Sequence, residues 1–346
     1  MIAQNKKVSR RDVAQAAGVS VTAVTHALNA TPGMRMSNDT REKIKRIASE
    51  MGYRPSFVGR ALVSGKNYTV GMLQPSSNAL FNSFYQEITR SLINTMNADD
   101  YNMLLQFRSD DFKYMRVIEQ GRVDGMIILQ SDTDTKHIDK IISSGIPAIV
   151  LNTAYDTSDK QNVSCVHSDY EGFSNSIINE FKKTGCRKIL SIIDHTNSYG
   201  NAQVYNEIMK HTYELSLKDI YITSVKPNWS NFREQIRSIL SSDNKWDGFL
   251  INSYQQARVF LDEASKTGLK PYKDFHIIAS DFKKNLTLPS DIQITTYLQD
   301  LENMAVSSWK TLFSAINRKD FCKQIRIPYE KQVGTLSGSE SNMRSL

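Results

Sequence analysis

From Tyr68 onward, short apolar runs alternate with amphipathic stretches, and this alternation constrains the fold more than any other feature. Apolar runs bounded by polar residues predict buried strands, and apolar residues at spacings of three and four predict helices. The predicted strands are 68–74, 102–107, 124–129, 146–151, 188–193, 247–251, 275–279 and 293–297. The predicted helices are 83–97, 111–120, 171–184, 204–215, 229–242, 254–267 and 299–317. This alternation favours an α/β body with two parallel sheets covered by helices.

The first 66 residues carry the whole excess of positive charge. They hold 12 Lys/Arg against 4 Asp/Glu, a net charge of +8, whereas the full chain carries +7. Residues 67–346 are therefore almost neutral. Charge concentrated on one small segment is expected where that segment alone contacts a polyanion.

Residues 9–29 predict two helices separated by a tight turn. Ser9 followed by Asp12 resembles a capping box, Gly18 supplies the turn, and Ser20 caps a second helix over 21–28. A third helix is predicted at about 38–51, after Ser37. Two helices joined by a glycine-containing turn form a helix-turn-helix, whose second helix fits the major groove of DNA. An ordinary helical hairpin has the same local signature, but it does not require so basic a segment.

Residues 54–66 predict a hinge that follows this all-α head. Pro55 ends the third helix. The stretch 56–63 is long enough for about two helical turns, which are too short to be stable alone in water. We expect the hinge to be disordered when the protein is free and ordered when it is bound to DNA.

The head resembles the LacI/GalR family of transcriptional regulators, which includes the lactose and purine repressors. The similar segments are DVAQAAGVS (12–20), ALN (27–29), the stretch from Thr40 to Pro55, and Arg60-Ala61-Leu62. The resemblance covers the whole head and, more loosely, most of the remaining chain. It implies a periplasmic-binding-protein-like body of two subdomains, between which the chain crosses three times. It also implies a homodimer that binds a pseudo-palindromic double-stranded DNA operator.

The resemblance also assigns DNA contacts. Residues matching Val21, Thr22 and His26 read bases in the major groove, and the residue matching Leu62 wedges into the minor groove. Val21 suits a thymine methyl, Thr22 can bond several bases, and His26 can donate to guanine. His26 replaces a longer side chain, so its base is expected to differ. The expected phosphate contacts, each otherwise an ordinary surface side chain, are Ser9, Arg10, Arg11, Ser20, Asn29, Lys43 and Tyr53.

Residues that follow the body's strands are expected to line an effector cleft, because ligands of open parallel sheets bind outside the strands' carboxyl ends. Asn78 to Asn82 follow the first predicted strand, and Gln130 and Asn152 follow the third and fourth.

The resemblance adds three further residues to this effector site. Asp169 matches an acidic residue near the ligand and the subdomain junction, although capping of the next helix is an equal alternative. Trp229 matches an aromatic residue that stacks on ligand in some members. Asp281 matches the acidic residue that follows a late core strand.

The cleft is expected to depart from that of sugar-binding members. They carry an arginine early in the helix that corresponds to 203–214, and this chain has none between Arg187 and Arg233. Their Asn-Asp pair after the strand matching 247–251 corresponds here to Ser253-Tyr254. The cleft should lose charge and gain the aromatic residues Phe81, Tyr205, Trp229, Tyr254 and Phe282. We expect a sugar-like or other ring compound held by stacking and neutral hydrogen bonds. The alternative is control by a protein partner, such as a phosphorylated carrier protein.

Other functional classes find little support. No G-x-S-x-G occurs, and Gly65-Lys66 lacks the first glycine of a phosphate loop, so we expect neither an enzyme nor catalytic residues. The three cysteines form no CxxC or Cys/His cluster, so no metal site and no cofactor are expected. Without a signal-like N-terminus or a membrane-length apolar run, a cytoplasmic, nucleoid-associated protein that contacts no membrane is expected. A solute-binding transport protein is the less favoured alternative, since it would need a signal peptide and no basic head.

The expected domains are a DNA-binding head (1–53), a hinge (54–66), an effector-binding and dimerisation body (67–336) and a polar tail (337–346). The stretch 334–346, GTLSGSESNMRSL, lacks the leucine heptads that tetrameric members append, which favours a dimer. The predicted function is therefore that of an effector-controlled transcriptional regulator, expected to act as a repressor.

Overall fold

The computed structural model describes residues 8–29, 36–54, 57–129, 134–193, 199–214, 221–282, 294–317 and 324–334. The chain divides into two compact units, residues 1–67 and residues 68–346. The predicted polar tail, 337–346, lies outside the described residues.

The first unit contains three short helices around one small core. They are α1 (Arg10–Ala17), α2 (Val21–Asn29) and α3 (Asn38–Glu50). Gly18 ends α1 in the left-handed conformation, with φ of 70°, which a residue without a Cβ adopts at no steric cost. The buried core residues are Val13, Ala14, Ala17, Val24, Ala27, Ile44 and Ala48. The predicted helix-turn-helix is confirmed.

A fourth helix, α4 (Phe57–Ser64), lies within the stretch that the sequence assigns to the hinge. The last residue of α4, Ser64, donates a hydrogen bond from its hydroxyl to the Arg60 carbonyl at 2.9 Å. The hinge segment therefore has a helical conformation in this structure. Gly65 follows it with a positive φ of 66°.

The second unit is an α/β body. Its strands are β1 (Thr69–Gln74), β2 (Asn102–Phe107), β3 (Gly125–Leu129), β4 (Ala148–Leu151), β5 (Val163–Ser168), β6 (Lys188–Ile192), β7 (Tyr221–Val225), β8 (Gly248–Ile251), β9 (His276–Asp281), β10 (Thr295–Gln299), β11 (Gln324–Ile327) and β12 (Tyr329–Gln332). Its helices are α5 (Ser83–Asn97), α6 (Arg116–Glu119), α7 (Lys136–Ile142), α8 (Tyr170–Lys183), α9 (Tyr199–Glu214), α10 (Phe232–Leu240), α11 (Tyr254–Lys266) and α12 (Leu301–Ile316). Two short 3₁₀ segments, Ser77–Phe81 and Lys113–Met115, complete the described elements.

These strands form two six-stranded sheets. The order in the N-terminal subdomain is β11-β5-β4-β3-β1-β2, with every pair parallel. The order in the C-terminal subdomain is β12-β10-β9-β8-β6-β7, and β12 alone among these strands runs antiparallel, beside β10. The chain passes between the sheets after β5, after β10 and after β11. Two parallel sheets and three crossings were expected, and both are confirmed.

Helices cover both faces of each sheet. In the N-terminal subdomain, α5 and α12 pack on the face that carries Met72, Ile127 and Leu151. Helices α6 and α7 pack on the opposite face of the same sheet. In the C-terminal subdomain, α10 and α11 cover one face and α8 and α9 cover the other. Burial on both faces explains why the central strands are apolar throughout.

The predicted elements agree with the structure to within a few residues at most ends. The last predicted strand, 293–297, is shifted, because β10 spans Thr295–Gln299. Four strands were not predicted: β5, β7, β11 and β12. The predicted helix at 111–120 is a 3₁₀ turn followed by the single-turn α6. None of the described helices is long and apolar enough to cross a membrane.

Candidate functional site

The exposed face of α2 carries the residues expected to read DNA bases. Val24 and Ala27 are buried in the head's core, whereas Val21 and Thr22 are exposed and His26 is half-buried. Val21 is 42% exposed, so its side chain is accessible to a partner. Thr22 and His26 are one turn apart, so both can reach the same short stretch of a groove.

Two of the expected phosphate contacts begin helices. The Ser9 hydroxyl accepts from the Asp12 amide at 3.3 Å, and the Asp12 carboxylate accepts from the Ser9 amide at 2.8 Å, which completes a capping box. The Ser20 hydroxyl accepts from the Ala23 amide at 3.1 Å and so caps α2. These bonds orient the amino ends of α1 and α2, where backbone N–H groups favour anions.

The remaining expected DNA contacts lie around the same head. Arg10 donates from Nε to the Tyr53 hydroxyl at 3.0 Å, which ties α1 to the segment after α3. Arg11 and Lys43 are exposed on α1 and α3. Leu62 on α4 is 80% exposed, a large apolar surface left in water. The Asn29 side chain lies outside the described part of the chain.

The body contains a cleft between its two sheets, with a volume of about 380 Å³. It is formed at the carboxyl ends of the strands, as expected for open parallel sheets. Its lining residues are Asn82, Ser83, Phe84, Tyr85, Asn152, Gly200, Asn201, Val204, Asn252, Ser280, Asp281, Phe282, Gln299 and Tyr329. None of these is Lys, Arg or His, so the described lining is dominated by amides, hydroxyls and aromatic rings.

A chain of hydrogen bonds orders part of the polar lining. The Ser280 hydroxyl donates to Asn252 Oδ1 at 2.8 Å. Asn252 in turn donates from Nδ2 to Asn201 Oδ1 at 2.8 Å. Both the oxygen and the nitrogen of the Asn252 side-chain amide are therefore hydrogen-bonded. The bond to Asn201 holds the first turn of α9 against the end of β8.

Asp281 is the one carboxylate among the described lining residues. Its Oδ2 accepts from the Tyr254 amide at 2.9 Å, and its Oδ1 accepts from the Phe282 amide at 2.7 Å. The carboxylate therefore stabilises the amino end of α11 and the loop after β9. This use of both oxygens makes Asp281 a positioning residue for the cleft wall.

Asn152 connects the cleft to the crossing between the subdomains. It has a φ of 66°, in the left-handed region that Asn tolerates better than most residues. Tyr170, the first residue of α8, donates from its hydroxyl to the Asn152 carbonyl at 3.0 Å. A Cβ at Gly200 would lie 3.2 Å from that hydroxyl, so glycine allows α9 to approach closely.

A second link joins two crossing segments at the cleft. Gln299 donates from Nε2 to the Tyr329 hydroxyl at 2.9 Å. The Tyr329 ring stacks on Phe173 of α8, with centroids 4.1 Å apart. Burial raises the pKa of Tyr329 to about 12, so the phenol stays protonated and can donate at neutral pH.

Of the residues expected at the effector cleft, Asn82, Asn152, Asp281 and Phe282 line it, and the other expected residues that the structure describes do not. Asn78 and Phe81 lie on the exposed 3₁₀ segment after β1, and Phe81 is 85% exposed. Tyr205 is in α9 beside the lining residue Val204 but is not itself part of the lining. Asp169 accepts from the Gly172 amide at 3.1 Å and caps α8, as in its alternative assignment. Gln130 lies outside the described residues.

The expected position of Trp229 and Tyr254 in the cleft needs correction. Both line a separate open groove of about 970 Å³ between α10 and α11. Trp229 is 68% exposed because the turn before α10, held by Asn228, directs it outward beside Phe232. Tyr254 follows β8 by three residues, and its side chain packs into the core between the sheet and the helices.

Sequence reasoning missed several lining residues that a close examination of strand ends could have found. Asn252 directly follows β8, whereas the expected pair was Ser253-Tyr254, one residue later. Ser280 and Gln299 are at or beside the carboxyl ends of β9 and β10. Phe84, Tyr85 and Asn201 come from the first turns of helices, and no local signal in the sequence marks them.

Comparison with protein-family models finds two matches. Residues 11–56 match the lacI family of bacterial regulatory proteins. Residues 67–247, slightly more than half of the chain, match the periplasmic binding proteins and sugar binding domain of the LacI family.

Curated relatives match along nearly the whole chain. Catabolite control protein A of Priestia megaterium is 23% identical over 316 residues, covering 89% of this chain and 92% of that protein. The HTH-type transcriptional regulator RegA of Clostridium saccharobutylicum is 27% identical over 325 residues, covering 90% and 93%. These relatives are transcriptional regulators rather than enzymes.

Solved structures share the fold. The lac repressor dimer bound to operator and the anti-inducer ONPF superposes with a TM-score of 0.76 at 17% identity, covering 95% of this chain and 98% of that one. The complex of the transcriptional regulator CelR with cellobiose gives a TM-score of 0.62 at 18% identity, covering 95% and 99%. The helix-turn-helix head, the two-sheet body and the family matches lead to one conclusion: this chain belongs to the LacI family and is a DNA-binding transcriptional regulator.

Proposed function

We propose that the protein is a repressor that binds a pseudo-palindromic operator as a homodimer and is controlled by a small effector in the cleft. The observation that carries the proposal is the row formed by the exposed Val21 and Thr22 and the half-buried His26 on α2, within a segment of net charge +8. Basic side chains around that helix would hold phosphates, and the row would read bases.

The cleft supports a neutral, hydroxyl-rich effector. Its described lining offers five amide side chains and no basic residue, and its carboxylate already accepts two backbone N–H groups. Amide groups can donate to and accept from sugar hydroxyls, whereas an anionic ligand would find no cation among these residues. Effector binding would change the relative orientation of the two subdomains. The operator affinity would change with it, by a coupling free energy of about 1–3 kcal/mol.

An exposed apolar patch on the N-terminal subdomain supports the homodimer. Leu80 and Ile93 line one shallow groove of about 330 Å³ and are 42% and 39% exposed. Phe81 adjoins Leu80 and is still more exposed. We infer that these exposed apolar side chains are covered in a dimer, because burying them would remove apolar surface from water. A dimer would also place two heads on two half-sites, as a pseudo-palindromic operator requires.

Control by a protein partner is the second candidate, and the groove between α10 and α11 favours it. The groove is larger than the cleft and is lined by the exposed Trp229 together with Arg233, Arg237 and Arg258. Tryptophan and arginine are the residue types most enriched among energetically dominant interface residues. Replacement of Trp229 by alanine would separate the two candidates: effector control should persist, and partner control should be lost.

The test of the proposed function is selection of duplexes from a random DNA library by the full-length protein. We expect enrichment of a pseudo-palindromic site of about 14–20 base pairs. A matched selection with His26→Ala should lose information at one symmetric pair of positions. Enrichment of no sequence, or of a site without symmetry, would contradict the proposal.

A further inference from the structure

Two aromatic side chains meet across the cleft, one from each subdomain. Phe84 comes from the first turn of α5, and Phe282 directly follows β9. Their ring centroids are 5.6 Å apart and their planes are nearly perpendicular, which is a favourable edge-to-face arrangement. Tyr85 lies beside them, 5.5 Å from Phe84. Part of the cleft is therefore apolar, with contributions from both sheets.

The backbone positions of both rings are fixed by hydrogen bonds. Asn82 caps α5 by accepting from the Phe84 amide at 2.9 Å. Asp281 accepts from the Phe282 amide at 2.7 Å, while its other oxygen is held by α11. Because their backbones are held, the two rings form an apolar surface at a defined place in the cleft wall.

Three polar residues, one hydroxyl and two amides, form a hydrogen-bonded group in the same cleft. Ser280, Asn252 and Asn201 are joined by the two hydrogen bonds described above, and none of the three belongs to the aromatic group. A ligand that contacts both groups must offer hydroxyls to the amides and carbon to the rings. The described lining thus offers an aromatic surface as well as polar groups, with Asn82 and Asp281 beside the two rings.

The aromatic surface formed by Phe84 and Phe282 has a chemical consequence for a bound sugar ring. A hydroxyl placed against the phenylalanine rings would lose hydrogen bonds to water and gain none, whereas a methyl group there would lose nothing. The same site can therefore separate two sugars that differ by one hydroxyl. Apolar sites reject an added hydroxyl by up to about 100-fold.

We propose that the cleft binds a neutral deoxy sugar whose methyl group lies against Phe84 and Phe282 and whose hydroxyls contact the amides. This inference rests on the proposed control by a small effector and specifies its chemical class. Phe84 and Phe282 are then the residues that determine specificity, and Asn82 and Asp281 position them.

The experiment is calorimetric titration of the full-length protein with three matched pairs of sugars. The pairs are L-fucose with L-galactose, L-rhamnose with L-mannose, and D-fucose with D-galactose, whose members differ only in the hydroxyl at carbon 6. We expect the deoxy member of at least one pair to bind about tenfold more tightly or better. Equal affinity within every pair, or binding of none of the six sugars, would overturn the inference.

Variants identify the residues responsible. Phe282→Ala should reduce the preference for the deoxy member to less than about threefold, and Phe282→Leu, which keeps an apolar side chain, should retain most of it. Tyr221→Ala is the matched control, because this exposed aromatic lies at the amino end of β7 and outside the cleft. A preference unchanged in Phe282→Ala would show that these rings do not read the ligand. DNA selection with the same preparation separates the proposed operator binding from the proposed sugar binding. A protein that selects its operator but binds none of the six sugars would refute only the deoxy-sugar inference.

Discussion

At the residue scale, the two ring nitrogens of His26 differ in their surroundings. The Nδ1 atom of its ring is buried and has no hydrogen-bond partner among the described residues. We therefore expect any base contact of His26 to be made through Nε2, on the other side of the ring. Thr22, one turn earlier, and Val21 are exposed, so the three residues together offer polar and apolar contacts.

Replacement of His26 by alanine should relax specificity at one operator position and leave binding to random DNA unchanged. We expect the discrimination between the preferred base and the others to fall by about 1–3 kcal/mol. Lys43→Ala should instead weaken binding to all duplexes alike, since we expect this exposed lysine to contact a phosphate. Fluorescence anisotropy on operator and scrambled duplexes measures both. Equal losses on the two duplexes for His26→Ala would remove this residue from the base-reading set.

The effector residues show what a sequence can and cannot define at this scale. The rule that ligands contact residues after strands placed Asn82 and Asn152 at the cleft, and the family resemblance placed Asp281 there. The resemblance failed for Tyr254, because Asn252, the residue directly after β8, lines the cleft, whereas Tyr254 begins α11 and packs into the core. Trp229 was assigned by resemblance, and the turn that directs it outward depends on hydrogen bonds of Asn228 that no motif reveals.

At the scale of the elements, α10 and α11 are joined by a nearly buried carboxylate. The Glu263 side chain is 1% exposed and accepts from Arg233 and Arg237 at 2.6 Å and from Lys266 at 2.9 Å. Hydrogen bonds from Arg237 and Lys266 lower the pKa of Glu263 to about 2. A covered carboxylate with this many donors contributes to stability as long as it is ionised.

Glu263→Gln should therefore destabilise the body near neutral pH. Because the folded-state pKa is lowered, this contribution is present above the ordinary glutamate pKa and is lost as the pH falls toward 2. Urea unfolding at several pH values tests it: the wild-type midpoint should exceed that of the variant at pH 7, and the difference should shrink below about pH 4. Glu234→Gln, at an exposed position of α10, is the control and should change little. A difference independent of pH would show that the charge is not what matters.

Most elements of the body could be predicted from periodicity, and the exceptions have physical reasons. VSCVHS (163–168) is half polar, yet all six residues are buried because β5 lies between β4 and β11. β12 is a polar edge strand of four residues. It pairs with β10 because the chain returns to the C-terminal sheet after β11, which no local pattern in the sequence indicates. α7 spans seven residues, which is shorter than the window needed to recognise a helical period.

At the scale of the whole molecule, the positive charge is concentrated in the head and hinge, and the body is almost neutral. In the proposed function the head binds DNA and the body binds the effector. Two heads would be brought together by the body, since a lone head of three short helices has little surface for self-association. The exposed Leu80, Phe81 and Ile93 are the apolar residues from which we expect that association to arise.

Sedimentation should show a dimer at micromolar concentration, and Ile93→Asp should shift it toward monomer. A buried, unpaired charge at an interface costs several kcal/mol, which would raise the dissociation constant by about 100-fold or more. Met209→Asp is the matched control, because Met209 has the same 39% exposure but lies on α9. A wild-type monomer, or equal effects of the two substitutions, would refute this interface.

The salt dependence of operator affinity tests the central claim most directly. With the full-length protein and its selected duplex, log Kobs should fall linearly with log salt concentration, with a slope of about −0.9 for each phosphate neutralised. Lys43→Ala, present in both heads of a dimer, should make that slope shallower by about two. A flat salt response of the wild-type protein would contradict the account, because a head and hinge of net charge +8 cannot hold a duplex without displacing its counterions.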